Sequence, residues 1–432
     1  MDPTTIFLLI VVLFFSLLFL CVPIFAALGV ASILGFVLHG GFSSLETIPD
    51  ILHRGLVSYS LLAVPLFILM GEVMAKTTIG SRLFNMFSCW ANRLPGGLGV
   101  ASVASSAVFG AMSGVSVAGA ATVGRFAIPE MLKRGYSPSL AGGTVAAAGA
   151  LALLIPPSIG FVLYGEVAGQ SVGKLFMAAV LPALLLTLMM MGYVILIAVF
   201  CPDKAPREVR KIGWRERWRA LLDIWAALLI VLLVLGSIYF GIATPTEAAG
   251  IGAIGAFLVA GVYRELSWAM VRDVLRSTAV TSAMILLILA AALMFGHVMT
   301  RLMIPQQIVM MVVGMDQPQW VVLGFILFFL LIVGMFLDIV SMIVITTPIL
   351  LPVIMAMGID PIWFGVVLIL TCEMAVITPP IGLNLYVIKG ISSNLSMAQI
   401  IKGALPFVFI ELAAILLLIA FPQIALFLPG LR

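Results

Sequence analysis

Charge is what this chain has least of. Asp, Glu, Lys and Arg make up 9% of its 432 residues, against 63% hydrophobic residues and a mean hydropathy of +1.27. A water-soluble globular domain, with about a quarter of its residues charged, is excluded. Cysteine and histidine are scarce as well. The four cysteines (Cys21, Cys89, Cys201 and Cys372) are isolated, no CxxC occurs, and the three histidines (His39, His53 and His297) are scattered. Neither a disulfide framework nor a zinc site is expected. HExxH, GxSxG and the P-loop are absent, so no familiar catalytic or nucleotide-binding motif is present. The first twenty residues, MDPTTIFLLIVVLFFSLLFL, lack a basic n-region and a small-residue cleavage site; they read as a retained span and not a removed signal peptide.

What fills the chain instead is apolar sequence. Runs long enough to cross a bilayer, about 20 residues, recur from end to end. They lack the alternating polarity of barrel strands. The expectation is an all-α polytopic membrane protein. Its orientation follows from the basic residues. Lys204, Arg207, Arg210, Lys211, Arg215, Arg217 and Arg219 crowd one polar stretch, 201–220, which is therefore placed in the cytoplasm. Counting spans outward puts Lys76, Arg82, Arg93, Lys133, Arg134, Arg264, Arg272, Arg276, Lys389 and Lys402 on the same side. Arg54, Lys174, Arg301 and Arg432 fall outside, with Arg125 at membrane depth.

The two halves repeat. Pro129, Gly135 and Pro138 recur as Pro352, Gly358 and Pro361, each 223 residues on, and the double proline Pro156-Pro157 recurs at the same offset as Pro379-Pro380. MGEVMAKTTI (70–79) matches FGHVMTRLMI (295–304), and PIFAA (23–27) matches PTEAA (245–249). The first repeat is assigned to 1–200, with a hairpin at about 96–131 and a broken helix at about 139–165; the second to 221–432, with a hairpin at about 319–354 and a broken helix at about 362–388. Each hairpin is either two full crossings or a re-entrant loop. Its arms are short for full spans, which favours the re-entrant form. The charge pattern then gives the two halves opposite orientation. Inverted repeats with discontinuous helices point to a secondary transporter with its site near the midplane, where freed carbonyls and half-helix ends hold ions.

GIATPTEAAGIGA (241–253), LLIPPSI (153–159), VITPPIGLNLYV (376–387), VPLFILMGEVM (64–74) and GMFLDIVSMIVITTPILLP (334–352) resemble the large membrane subunit of tripartite ATP-independent periplasmic (TRAP) transporters over essentially the whole chain. The resemblance implies sodium-coupled import of an organic acid, such as a C4-dicarboxylate or sialic acid, into a bacterium across its inner membrane. It also implies an elevator-type transport domain held in a scaffold, a separate small four-helix membrane subunit and a periplasmic solute-binding protein. It implies no cofactor besides sodium and no nucleic-acid partner. Two departures stand out: Ala152 and Ala375 replace the glycine usual four residues before each Pro-Pro, and Thr371 replaces a common asparagine.

The cation- or substrate-binding candidates are Ser105, Ser106, Gly110, Ser113 and Ser116 in the first hairpin and Gly149, Pro156, Pro157 and Ser158 at the first break. In the second half they are Gly334, Asp338 and Ser341 in the hairpin, with Thr371, Thr378, Pro379, Pro380 and Asn384 at the break. Small residues equally suit tight helix packing. Asp338 either binds a cation or caps the hairpin tip. Arg125 either attracts an anion, or snorkels or pairs with Glu130. Glu72, His297 and Glu373 read as packing or subunit-contact groups and Glu247 as a helix cap. The alternatives are a stand-alone sodium–dicarboxylate symporter and, more remotely, a membrane enzyme or channel.

Overall fold

A computed structural model describes residues 2–207, 212–314 and 317–431. Arg210, Lys211 and Arg432, used above to set orientation, lie outside the described residues. The first half forms α1 (Pro3–Phe19), α2 (Ile24–Gly40), α3 (Ile48–Leu56), α4 (Ala63–Lys76), α5 (Ile79–Ala91), α6 (Gly97–Ser113), α7 (Ser116–Lys133), α8 (Pro138–Leu154), α9 (Ile159–Ala168) and α10 (Val172–Phe200). The linker carries α11 (Trp214–Leu222). The second half forms α12 (Trp225–Tyr239), α13 (Pro245–Val262), α14 (Trp268–Arg301), α15 (Ile304–Gly314), α16 (Gln319–Gly334), α17 (Ile339–Ala356), α18 (Pro361–Val376), α19 (Leu383–Ile391) and α20 (Met397–Ala420), then the short α21 (Gln423–Leu426). No strand occurs among the described residues.

Laid side by side, the halves correspond helix for helix from α1 with α12 to α10 with α20. One pair differs. α3 and α4 meet at a bend of 67°, whereas their counterpart α14 runs unbroken for 34 residues. The shared turn before each broken helix has a local cause. Gly135 and Gly358 end α7 and α17 at positive φ, +81° and +71°, a conformation that costs glycine no Cβ clash. Two residues later a cap opens the next helix, with proline at its first position. The Leu140 N–H donates to Ser137 Oγ at 3.3 Å. In the other half the Ile362 and Trp363 N–H groups donate to Asp360 Oδ1 at 2.7 and 3.1 Å.

Both broken helices end at their Pro-Pro because each proline withholds a donor and clashes with the preceding turn. They sit at the centre: α8 is buried from Leu140 to Leu154 and α18 from Trp363 to Val376. Gly143 and Gly403 let the backbones of α8 and α20 touch. A Cβ on Gly403 would lie 1.7 Å from Ser139 O, and one on Gly143 would lie 2.0 Å from Gly403 C. α8 belongs to the first half and α20 to the second, so this contact binds the two halves into one body.

Among the described residues, five helices (α10, α13, α14, α17 and α20) are each long and apolar enough to span a bilayer, and up to eight spans result if each bent pair counts as one. The hairpin arms α6, α7, α16 and α17 have 17, 18, 16 and 18 residues, or about 24–27 Å of helix at 1.5 Å per residue. Only α17 among them passes as a span by itself.

On α11, Trp214 and Trp218 meet Trp90 edge to face, with ring centroids 6.3 and 5.9 Å apart, an aromatic anchoring suited to the membrane–water boundary. A cysteine placed at exposed Arg215, in a chain stripped of its four native cysteines, is expected to react with an impermeant maleimide only after the membrane is opened. Labelling from outside intact spheroplasts would overturn the cytoplasmic placement of the linker.

Candidate functional site

Each hairpin docks on the broken helix of its own half through the same small-residue contact. A Cβ on Gly110 would lie 2.6 Å from Ala152 Cα, and one on Gly334 would lie 2.7 Å from Ala375 Cβ. The two alanines that depart from the expected glycines are thus the surfaces on which the hairpins rest, and a methyl group is accommodated there because the facing residue is glycine. Gly149 performs a comparable packing task, since its Cβ would lie 2.4 Å from Ala120 Cβ on α7.

At the first hairpin the tip reaches the break directly. Gly114 turns the chain in the left-handed region (φ +60°), and a Cβ there would lie 2.9 Å from Pro157 O. Ser113 on one side of this contact and Ser158 on the other are buried, and both hydroxyl oxygens lack a hydrogen-bond partner. Ser106, two turns earlier on α6, is in the same condition. Unpaired buried hydroxyls are uncommon and costly. Pro156, Pro157 and Ser158 are all buried, so this junction is enclosed by protein.

The remaining serines of that hairpin do other work. Ser105 Oγ donates to the Ala101 carbonyl at 2.5 Å, back-bonding along its own helix. Ser116, at the start of α7, joins the two halves: its Oγ accepts from Asn384 Nδ2 at 2.8 Å, and Asn384 also donates to Ala146 O on α8 at 3.2 Å. Hairpin one, the first broken helix and the second break therefore meet at Asn384, which is fully buried.

The second junction is arranged differently. Asp338 caps α17: the Val340 and Ser341 N–H groups donate to Oδ2 at 3.0 and 3.2 Å, and the Ser341 hydroxyl donates to Oδ1. Of the two roles open to Asp338, the structure displays the capping one. Thr371 and Thr378 donate to the Val367 and Met374 carbonyls at 2.8 and 2.5 Å, so both hydroxyls are occupied within their own turns. Pro379 is half-buried, Pro380 is exposed and Ile381 is 41% exposed. One junction is enclosed and its counterpart open, an asymmetry expected when inverted halves alternate in exposing a shared site.

Arg125 on α7 is exposed, and its possible partner Glu130 is taken by Arg134, with Nη2 2.5 Å from Oε1. The Arg125–Glu130 pairing considered above is therefore corrected: four residues separate Glu130 from Arg134, one helical turn, which places their side chains together. Glu247 caps α13 in a capping box with Thr244, as TPTEA suggests. Glu72 is half-buried. His297 stacks on Phe36 with centroids 5.8 Å apart. Glu373 is fully buried and accepts the Leu154 N–H at 2.8 Å, a packing role inside the chain and not a contact with another subunit. Sequence reading missed Glu411, the lone acid in FVFIELAAILLLIA. It too is fully buried, and a single carboxylate in an apolar run was the available signal. No group of three or more His, Cys, Asp or Glu that could hold a metal ion occurs among the described residues. A cavity of about 400 Å³ lies between α16, α18 and α21, lined by Gln319, Asp360 and Trp363, away from both breaks.

Comparison with known proteins agrees with this architecture. A family model described as the tripartite ATP-independent periplasmic transporter, DctM component, matches residues 11–424. The C4-dicarboxylate TRAP transporter large permease protein DctM of Pseudomonas aeruginosa is 37% identical over 373 residues, covering 86% of each chain. The isethionate TRAP transporter permease protein DctMQ of Oleidesulfovibrio alaskensis is 35% identical over 412 residues, 95% of this chain; the chain spans 64% of that longer protein. The solved YdaH transporter of Alcanivorax borkumensis, 17% identical, superposes with a TM-score of 0.60 over 88% of this chain and 89% of that one, a likeness of fold. A multi-pass helical membrane chain with these relatives is a transport protein and not an enzyme, and it belongs to the tripartite ATP-independent periplasmic transporter family as its DctM component, the large permease subunit.

Proposed function

We propose that this permease carries a small organic anion across the bacterial inner membrane with sodium as the coupling ion. It receives the anion from a periplasmic solute-binding protein and works beside a separate small four-helix membrane subunit. The observation that carries the sodium reading is the pair of buried, unpaired hydroxyls of Ser113 and Ser158 at the enclosed junction of hairpin and break. Oxygen atoms without protein partners, next to carbonyls freed by Pro156 and Pro157, suit a hard monovalent cation that has shed its water. The corresponding second junction, with Thr378, Pro379, Pro380 and Asp338, takes a second ion through carbonyl oxygens, since its side-chain groups are committed to hydrogen bonds. Bound cations offset the charge of the substrate, which lowers the cost of moving it through a low-dielectric barrier.

The names of the relatives span several cargoes, ectoine among them. One refers to a C4-dicarboxylate and another to isethionate, two small anions of different head group. The body that moves is the one built on α8, α18 and both hairpins, in an elevator-like displacement. The test is uptake into proteoliposomes holding this chain, its small partner and a loaded binding protein, with external sodium replaced by potassium. Uptake is expected to fall to background. Full uptake without sodium would overturn the reading, and uptake by this chain alone would favour the stand-alone symporter.

A further inference from the structure

Glu373 on α18 and Glu411 on α20 are both fully buried, where their helices are pinned together by Trp363 Nε1–H donating to Leu418 O at 3.1 Å. α18 and α20 pack on each other. One Glu373 oxygen is satisfied by the Leu154 N–H. The other, and both oxygens of Glu411, have no hydrogen-bond partner. Three acceptor oxygens buried on two packed helices thus lack a donor.

No cation among the described residues resolves this. α8, α16 and α21 pack against these helices and contain no titratable side chain. Lys174 on α10 and Lys402 on α20 are exposed, while Lys389 on α19 donates to the Ser393 and Leu395 carbonyls. Of the other titratable groups, Tyr193 on α10 lies edge-on to Phe407, one turn from Glu411. Tyr164 and Glu166 on α9 are bonded to Pro361 O and Ser58, Asp338 caps α17, Cys372 adjoins Met342, and Tyr386 on α19 is exposed. No ion pair to either acid occurs among the described residues. The repeat offers no counterpart: 223 residues earlier stand Ala150 and Leu188, so the acids are not part of the twofold-related junctions. Phe407, Ala414, Ile415 and Leu418, near Glu411 on α20, are apolar and bring no further side-chain oxygen for a metal shell.

We propose that Glu411 is a proton-binding residue inside the body that carries both breaks, with the proton itself as its ligand. A proton on Glu411 turns one of the three orphan acceptors into an O–H donor and removes a bare charge from an apolar helix contact. An ionised carboxylate left there without a partner loses its hydration with nothing to replace it. This site is independent of the sodium reading.

Infrared difference spectroscopy of the full-length chain in nanodiscs tests it. At neutral pH the wild type is expected to show the C=O stretch of a protonated carboxylic acid, and Glu411→Gln to lose that band while remaining assembled, because a neutral amide replaces a neutral acid. An unchanged band in Glu411→Gln overturns the proposal. So does a carboxylate band that responds to sodium in the wild type and not in the variant, which would make Glu411 a metal ligand. If Glu411→Gln fails to assemble, Glu373→Gln decides: its remaining acid band supports the proposal, and absence of the band overturns it.

Discussion

Replacing Ser113 and Ser158 together by alanine is expected to raise the sodium concentration for half-maximal uptake about 100-fold. Each hydroxyl facing a cation is worth about 1.5 kcal/mol, as for hydrogen bonds to charged groups, and about 1.4 kcal/mol is a factor of ten in affinity. The same substitutions should leave the melting temperature of the sodium-free protein unchanged or raised. In that state both hydroxyls are buried and unpaired, so removing them breaks no bond and relieves desolvation. This opposite movement of sodium affinity and stability separates ligands from packing residues. Ser105→Ala is the control, because its hydroxyl is already spent on the Ala101 carbonyl, and its sodium dependence should match the wild type. Sodium-titrated uptake and thermal unfolding in detergent measure the two quantities. A double variant with the wild-type sodium requirement would remove Ser113 and Ser158 from the site.

The features legible in the sequence were those whose cause is local. A double proline ends a helix wherever it occurs, so Pro156-Pro157 and Pro379-Pro380 marked both breaks without knowledge of neighbours. Gly135 and Gly358, each followed by a cap and a proline, marked the turn before each broken helix for the same reason. What stayed hidden depends on partners distant in the chain. Ser116 and Asn384 are 268 residues apart and touch; only the docking of one half on the other decides that. Nor does residue type show whether a hydroxyl is free. Ser105, Ser113 and Ser116 read alike in sequence, yet one bonds to its own helix, one has no partner and one joins the halves. Asp338 followed by Ser341 is a helix-start pattern as much as a membrane-depth acid, and the capping geometry, worth about 1 kcal/mol, takes both of its oxygens.

The largest loss of folded protein is expected from Gly403→Ala, the smallest possible addition at the contact between α8 and α20. Its new Cβ would fall 1.7 Å from the Ser139 carbonyl oxygen and 3.1 Å from Gly143 Cα. Both are backbone atoms, so no side-chain rotation can relieve the overlap. Overpacking a core commonly costs about 1–3 kcal/mol, and more when the obstacle cannot move; here relief requires separating two helices along their contact. That separation would also draw α20 from α18 and disturb the burial of Glu411. Gly143→Ala meets the same surface from the other side, with its Cβ 2.0 Å from Gly403 C, and should behave alike. Gly192→Ala on α10 has nothing within 4 Å of the added methyl; it should melt at or slightly above the wild-type temperature, since alanine favours helix by about 1 kcal/mol. Size-exclusion chromatography of the detergent-extracted variants gives the readout: a monodisperse peak for Gly192→Ala, and loss or aggregation for Gly403→Ala. A Gly403→Ala protein that elutes and melts like the wild type would mean that the two halves are not held together by direct backbone contact at these glycines.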